Sequence, residues 1–213
     1  SLFRTVVAAD GRALTDAERQ ELEDLRLRSE QMIHTAQAGV TRIQGTVEVL
    51  GRYSREGYTR APREHDLWQA IRDIAAVVIP ATGRSVAVSF DLTGNGVLEC
   101  VPDELHQALG NLIQNAAEAA PQQGGRLVIE GHQTVGGVEV SVTDNGQGIA
   151  QDDRQRIFEP FFSTKGPGRG MGMGLTITRR VIAAAGGEIA LETPPGGGMR
   201  FVVRLPRRAP AQA

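Results

Sequence analysis

Hydrophobic residues in the first quarter of the chain repeat with the spacing of a helix. From Leu22 to Tyr53 the spacing alternates between three and four residues, which is a heptad pattern. No proline occurs before Pro62, so the pattern predicts one long helix over residues 16–57, with an apolar side broad enough for a four-helix bundle. The apolar run at residues 2–9 predicts the last turns of a preceding helix, and the two helices would form a hairpin.

The hydrophobic pattern changes near residue 60. After a short linker at 57–63, β-branched runs alternate with amphipathic stretches, which is typical of an α+β or α/β sandwich. The predicted helices are 66–78, 102–120, which Asp103 or a neighbour would cap, and 174–185. The predicted strands are 85–92 and 97–101 around a turn at 93–96, 126–133 and 138–143 as a hairpin, and 188–192 and 199–205 as a last hairpin. We therefore expect a helical domain at 1–60, a mixed domain at 61–206 and a flexible tail at 207–213.

Composition excludes several classes of protein. Of the 213 residues, 40% are hydrophobic and 23% are charged, which is ordinary for a globular chain, and the net charge of -2 offers no broad surface for nucleic acid. The single cysteine, Cys100, cannot form a disulfide within the chain and indicates a reducing compartment. No apolar stretch approaches the about 20 residues that cross a bilayer. We therefore expect a cytoplasmic location, with any membrane anchor outside this sequence.

The predicted helix 102–120 carries a pair of amides. Asn111 and Asn115 are four residues apart and share one face, while Leu112 and Ile113 between them would pack inward. Two amide oxygens that face one way suit a metal ion and phosphate. A solvated helix face is the more common explanation of such a pair, so the pair alone does not establish a site.

Two glycine-rich segments lie at the ends of predicted elements. Asp144 follows a strand, and Gly146 and Gly148 allow the backbone to turn tightly beside whatever Asp144 binds. Gly172 and Gly174 precede the third helix and place bare backbone amides at its positive end, which suits a polyphosphate. Ordinary turns use the same residues, so each segment taken singly is weak evidence for a binding site.

Two further segments complete the set. The stretch 158–165 contains three phenylalanines and Lys165, and its aromatics would anchor one end of a glycine-rich loop. Gly196 to Gly198 separate the last two predicted strands and, taken alone, suggest a flexible hairpin.

The order and spacing of these segments resemble the ATP-binding domain of sensor histidine kinases, within the superfamily of gyrase, heat-shock chaperones, histidine kinases and MutL. The matching motifs are the N box at 111–115, the first glycine box at 144–148, the F box at 158–165, the second glycine box at 170–174 and the third at 196–198. The resemblance covers about residues 62–205 and implies an α+β fold, a Bergerat-type sandwich whose mixed sheet is covered by helices on one face. The N box and the F box resemble those of the nitrogen-regulation and oxygen-sensor subgroup.

The resemblance also implies residue roles in binding ATP and Mg²⁺. Asp144 would accept a hydrogen bond from the adenine amino group, with Gly146 and Gly148 allowing close approach. Asn115 would coordinate the Mg²⁺ that bridges the phosphates, and Asn111 would help to hold them.

The remaining implied contacts lie in and beside a mobile lid at 158–173. Lys165 would contact the terminal phosphates. Backbone amides would face the phosphates at Gly170, Gly172, Gly174 and Leu175.

A comparison within that superfamily bears on the reaction. Its ATP-hydrolysing branches carry a glutamate four residues before the metal-binding asparagine, and here that position is Asn111. Because an amide cannot accept a proton from water, the γ-phosphoryl group would wait for a histidine, and would pass from there to an aspartate of a response regulator.

The chain lacks the family's acceptor motif, a histidine followed at once by an acid and then a proline four residues further on. His34 is followed by Thr35 and would flank the apolar seam, whereas His65, His106 and His132 would be solvated. We expect the acceptor helix upstream of Ser1 and a homodimer formed through the helical bundle. Two alternatives stay open: an ATP-binding regulator or scaffold without kinase activity, and an ATPase-type switch, against which Asn111 argues.

Overall fold

The computed structural model describes residues 62–165 and 172–208, together with Thr15, Asp16, Gln20, Leu22, Glu23 and 25–27. The chain divides into two compact units, residues 1–55 with 165–171, and residues 56–164 with 172–213. In the first unit, the described positions from Asp16 to Leu27 are helical, as predicted. The predictions for 2–9 and 28–57, for His34 and for the tail at 209–213 concern residues outside the described ranges.

The second unit contains strands and helices close to the predicted ones. Its strands are β1 Arg63–Asp66, β2 Val86–Thr93, β3 Val97–Cys100, β4 Gly125–Gln133, β5 Gly137–Asp144, β6 Glu188–Glu192 and β7 Met199–Pro206. Its helices are α1 Leu67–Ala81, α2 Pro102–Ala119 and α3 Gly174–Ala184. Short 3₁₀ helices at Gln151–Asp153 and Arg156–Phe158, which the sequence pattern did not predict, precede α3.

The strands form two sheets. The larger sheet has the order β2-β4-β5-β7-β6, in which β2 runs parallel to β4 and every other neighbouring pair is antiparallel. The smaller sheet pairs β1 with β3 in antiparallel fashion. Mixed pairing in a five-stranded sheet with three helices confirms the predicted α+β class.

The helices cover one face of the large sheet and form the core with it. Leu112 and Ile113 of α2 are fully buried, as predicted, and they belong to one cluster with Ile129, Val140 and other alternate residues of the sheet. The opposite face carries ion pairs between strands: Arg204 of β7 with Glu139 of the neighbouring β5 at 2.6 Å, and Arg200 of β7 with Glu130 of β4, across β5, at 3.1 Å. One face is therefore apolar and the other charged, as the period of a strand requires.

The strands on either side of the predicted turn at 93–96 do not pair with each other. β2 pairs with β4, and β3 pairs with β1. The indole of Trp68 occupies the space beside the turn, because its Nε1 donates to the carbonyl of Gly94 at 3.2 Å and a Cβ at Gly96 would lie 2.5 Å from the ring. The two strands are separated by a buried side chain from α1, which the local pattern cannot reveal.

The start of the second unit also differs from the prediction in two details. Residues 63–66, expected as linker and helix, form β1, and Asp66 caps α1 by accepting from the backbone amides of Trp68 and Gln69. Asp103 does not cap α2: the N-cap is Val101, which provides no side-chain hydrogen bond, and Pro102 begins the helix. Proline favours the first helical position because its fixed φ suits the helix and it has no amide to satisfy there.

None of the helices in the described part of the chain is long and apolar enough to cross a membrane. Cys100 is buried at the end of β3, and burial raises the pKa of its thiol to about 11.

Candidate functional site

The first part of the candidate site is the carboxylate of Asp144, the last residue of β5. Only 4% of this residue is exposed, and burial raises the pKa of its carboxyl, while hydrogen bonds from the backbone amides of Gly146 and Met199 act in the opposite direction. The Asp144 Oδ1 atom accepts from the Gly146 amide at 2.7 Å. A buried acceptor at the end of a strand suits recognition of a polar donor on an otherwise flat, apolar ring.

Two glycines allow the backbone to close around Asp144. A Cβ at Gly146 would lie 2.4 Å from the carbonyl oxygen of Ala119, the last residue of α2, and a Cβ at Gly198 would lie 2.0 Å from the carbonyl oxygen of Asp144 itself. Gly198 also has a φ of +83°, which side chains rarely permit. The loop after β5, the end of α2 and the turn before β7 therefore meet at one place.

Asn111 and Asn115 lie on α2, on a half-buried face that leads to this place. The Asn111 Nδ2 atom donates to the carbonyl of Gly174 at 3.1 Å, so its amide bridges α2 and the first residue of α3. Asn115 lies one turn before Ala119, whose carbonyl contacts the Gly146 backbone. The structure thus places the two asparagines between the loop of Asp144 and the start of α3.

The start of α3 lacks a side-chain cap. Its N-cap is Met173, which makes no side-chain hydrogen bond, so the first backbone amides have no cap from the helix's own sequence. Gly172, Gly174 and Leu175 are all half-buried. Gly170 and the rest of 166–171 lie outside the described residues, and its predicted contact with the phosphates stays a prediction.

The three phenylalanines of the F box do not act alike. Phe158 and Phe162 pack against the core, with the guanidinium groups of Arg179 and Arg156 over their rings at 5.5 Å and 4.4 Å. Phe161 is 64% exposed and adopts a φ of 66°, so its aromatic side chain does not anchor the loop as expected. Its backbone amide donates to the Gly172 carbonyl at 3.1 Å. Lys165 is half-buried and belongs to the first unit, and its predicted phosphate contact stays a prediction.

Two histidines expected to be solvated are instead paired. The Nε2 atoms of His65, in β1, and His106, in α2, are 2.7 Å apart, and the pKa of His65 is lowered by burial, His106 and Arg63 against the opposing effect of Asp66 and Asp103. His132 is exposed, as predicted. The pairing requires β1 to lie beside α2, which no local pattern indicates.

The histidine pair borders a groove of about 660 Å³ between α1 and α2. Asn111 reaches this groove, but Asn115, Asp144 and the glycines of the first glycine box are not among the residues that line it. The groove is therefore distinct from the place where the loop after β5 meets α2.

Two residues that support the site were missed by sequence reasoning. Asn145 accepts from the Arg126 amide at 2.8 Å and donates to the Gly124 carbonyl at 2.9 Å, so it holds the end of β5 to the start of β4. Thr178 of α3 is fully buried and its hydroxyl reaches the carbonyl oxygens of Gly174 and Ala108. The only sequence signal for Thr178 was a polar residue on an otherwise apolar helix face.

The donor set fits Mg²⁺ that arrives with a nucleotide. In the described ranges, no group of three or more His, Cys, Asp or Glu side chains could hold a metal ion. Mg²⁺ needs no such cage, because it is commonly held by one or two protein oxygens, substrate phosphates and water. The amide oxygen of Asn115 is a suitable ligand of this kind.

Comparison with known proteins agrees with this geometry. The family described as histidine kinase-, DNA gyrase B- and HSP90-like ATPase matches residues 100–209, about half of the chain. The chain is 38% identical over 129 residues, 59% of its length, to the sensor histidine kinase ZraS of Escherichia coli. It is 34% identical over 212 residues, 93% of its length, to the C4-dicarboxylate transport sensor protein DctB of Pseudomonas aeruginosa. The chain spans only 27% and 32% of these two relatives.

Solved structures of histidine kinases share the fold. The catalytic domain of the histidine kinase ThkA is 30% identical, with a TM-score of 0.61 over 68% of this chain and 95% of that domain. The mycobacterial sensor histidine kinase MprB is 26% identical, with a TM-score of 0.62 over 70% of this chain and 99% of its own. The chain therefore belongs to the histidine kinase-, DNA gyrase B- and HSP90-like ATPase family, and its fold is that of the ATP-binding domains of sensor histidine kinases.

Proposed function

We propose that this chain binds Mg²⁺-ATP and transfers its γ-phosphoryl group to a histidine, from which the group passes to an aspartate of a response regulator. The observation that carries the proposal is that α2 joins the loop of the buried Asp144, which it meets at Ala119, to the start of α3, which it meets at Asn111. We also propose a cytoplasmic location, a homodimer through the helical segment, and membership of the nitrogen-regulation and oxygen-sensor subgroup.

The adenine end of the site would be formed by Asp144. Its carboxylate accepts the hydrogen bond of the exocyclic amino group, and burial makes a missing partner costly, which favours adenine over a base with a carbonyl at that position. Gly146 contributes by its lack of a side chain, because its backbone already contacts the carbonyl of Ala119.

The phosphate end would be formed by α2 and α3. Asn115 would hold Mg²⁺, which when bound would supply positive charge next to the phosphates. The amides at Gly172, Gly174 and Leu175 face the phosphate oxygens. From the resemblance, Lys165 and Gly170 complete this end, and Asn111 lies beside it.

Asn111 bears on the fate of the γ-phosphoryl group. Its side chain donates to the Gly174 carbonyl, and an amide has no basic atom that could take a proton from water. Transfer instead uses a histidine nitrogen, which forms a bond to the γ-phosphorus as the bond from that phosphorus to the β–γ bridging oxygen breaks; ADP leaves, and the imidazole releases its proton to solvent. Slow hydrolysis and competent transfer are the expected combination.

The decisive experiment is phosphotransfer in trans. The full chain is incubated with Mg²⁺ and ATP labelled at the γ-phosphate, together with a separate polypeptide that carries a helical hairpin with an acceptor histidine. We expect label on the acceptor that is labile in acid and stable in base, as for a phosphohistidine. ATP binding without transfer would favour the regulator or scaffold, whereas rapid release of inorganic phosphate would favour an ATPase-type switch.

Replacing the metal ligand tests the phosphate end separately. Asn115→Ala should abolish the part of ATP affinity that depends on Mg²⁺, because the amide oxygen is the proposed ligand, and calorimetric titration with and without Mg²⁺ measures this. The control is Gln114→Ala, which changes an exposed neighbour on α2 whose amide bonds to Glu118. An unchanged Mg²⁺ dependence in Asn115→Ala would remove Asn115 from the site.

A further inference from the structure

We propose that Thr178 is a positioning residue that holds the start of α3 against α2 and thereby sets the affinity of the site for the phosphates of ATP. The inference rests on the proposed function and assigns a role to a side chain that does not itself contact nucleotide.

Thr178 and Asn111 make reciprocal contacts between the two helices. The Thr178 hydroxyl, on α3, lies 3.3 Å from the carbonyl oxygen of Ala108, on α2, and 2.9 Å from that of Gly174. The Asn111 amide, on α2, donates to the same Gly174 carbonyl at 3.1 Å. Each helix thus sends one side chain to a backbone carbonyl of the other, and the Gly174 carbonyl at the start of α3 accepts from both side chains.

Burial makes this contact a determinant of helix position. Thr178 and Ala108 are both completely buried, so water cannot replace the hydroxyl. The single hydroxyl hydrogen is shared between two carbonyls that already accept backbone bonds within their own helices. If the hydroxyl is removed, both carbonyls keep their backbone partners, so each helix remains folded. The position of α3 relative to α2 then has one constraint fewer.

The consequence differs for the two ends of the nucleotide. The phosphates face the first amides of α3, whose position this contact controls, and a small misplacement weakens charged hydrogen bonds strongly. The adenine end depends on Asp144 and on the contact between Gly146 and Ala119, in which neither Thr178 nor Gly174 takes part. Thr178 should therefore affect recognition of the phosphates and not of adenosine.

The test compares ATP with adenosine in the full chain. Thr178→Val keeps the shape of the side chain and removes its hydroxyl, and Thr178→Ser keeps the hydroxyl. Affinities for Mg²⁺-ATP and for adenosine are measured by chemical-shift titration. We expect Thr178→Val to weaken ATP binding by about tenfold and adenosine binding by less than about twofold, and Thr178→Ser to restore wild-type affinity for ATP.

The control is Thr93→Val, which removes a hydroxyl bonded to the Gly131 carbonyl at 3.4 Å on the large sheet. It should change neither affinity. Equal weakening of both ligands by Thr178→Val, or no change in either, would overturn the proposed role. A wild-type chain that binds adenosine but not Mg²⁺-ATP would instead overturn the proposed function, and this inference with it.

Discussion

At the scale of single residues, the site is built from groups that are costly to bury. Asp144 ends β5 with 4% of its surface exposed, and burial raises the pKa of its carboxyl. The charged form is therefore less stable in the folded protein than in water. A protein retains such a residue where ligand binding requires it. Its replacement should therefore lower ligand affinity without lowering the free energy of unfolding.

Asp144→Asn tests this separation. We expect ATP affinity to fall by about tenfold or more, because the amide presents a donor as well as an acceptor to the adenine amino group. The ligand-free variant should be at least as stable as wild type at pH 7, since it buries no charge. Because the pKa of Asp144 is raised in the folded protein, this residue contributes stability below its unfolded pKa, and that contribution is lost as pH rises through the folded pKa. The free energy of unfolding of wild type should therefore increase relative to that of the variant as pH falls.

Calorimetric titration measures the affinity, and thermal unfolding at several pH values measures the stability. Unimpaired ATP binding by Asp144→Asn would contradict the assignment of Asp144 to the adenine amino group.

Gly198 is the second residue whose surroundings predict the effect of a substitution. Gly198→Ala should lower the free energy of unfolding by about 2 kcal/mol or more, because the new Cβ meets the Asp144 carbonyl and the φ of +83° disfavours a side chain. Nucleotide affinity should fall as well, since Asp144 must move. Gly196→Ala is the control, because nothing lies within 4 Å of its added Cβ and its φ is not positive. Denaturant unfolding that shows equal stability for the two variants would contradict this interpretation of the turn.

At the scale of elements, the contact between β1 and α2 depends on pH. The Nε2 atoms of His65 and His106 are 2.7 Å apart, so at most one proton fits between them. Burial, His106 and Arg63 together lower the pKa of His65, although Asp66 and Asp103 act in the opposite direction. A histidine with a lowered folded pKa contributes stability above its unfolded pKa of about 6.5 and loses that stability as pH falls through the folded pKa.

We therefore expect the free energy of unfolding of wild type to fall between pH 7.5 and pH 5 more steeply than that of His65→Gln, which cannot take up this proton. Denaturant unfolding across that range measures the difference. His132→Gln, which makes the same change at an exposed histidine, should follow wild type. Parallel curves for wild type and His65→Gln would show that the pair does not resist protonation.

At the scale of the whole molecule, the described helical positions between Asp16 and Leu27 include exposed apolar residues. Leu22 and Leu25 of the predicted seam are 44% and 57% exposed, and Leu27, which lies off the seam, is 48% exposed. Apolar side chains arranged in a heptad pattern are typical of helices that associate with other helices. We expect self-association that increases with concentration.

The double substitution of Leu22 and Leu25 by Asp should give monomers that still bind ATP, because the proposed adenine and Mg²⁺ ligands, Asp144 and Asn115, belong to the other unit. Leu27→Asp is the matched control, since it introduces the same charge outside the seam and should leave association intact. Sedimentation equilibrium decides between the outcomes. A wild-type chain that stays monomeric at high concentration would contradict the bundle.

The amino-acid sequence by itself determined the class of the fold, most element boundaries and the motifs of the site. These depend on local causes: periodicity sets helix or strand, proline and glycine end elements, and the motifs keep their order along the chain. The predicted helix 102–120 and the strands flanking 144 agree with α2 and β5 for this reason.

Only the tertiary structure decided which elements meet. Trp68 separates β2 from β3, β1 brings His65 to His106, and α3 approaches α2 closely enough for Thr178 to reach the Ala108 carbonyl. Phe161 is exposed while its neighbour Phe162 packs against the core, although the sequence presents them as equivalent. These outcomes depend on side chains distant along the chain competing for the same space, and no local pattern encodes that competition.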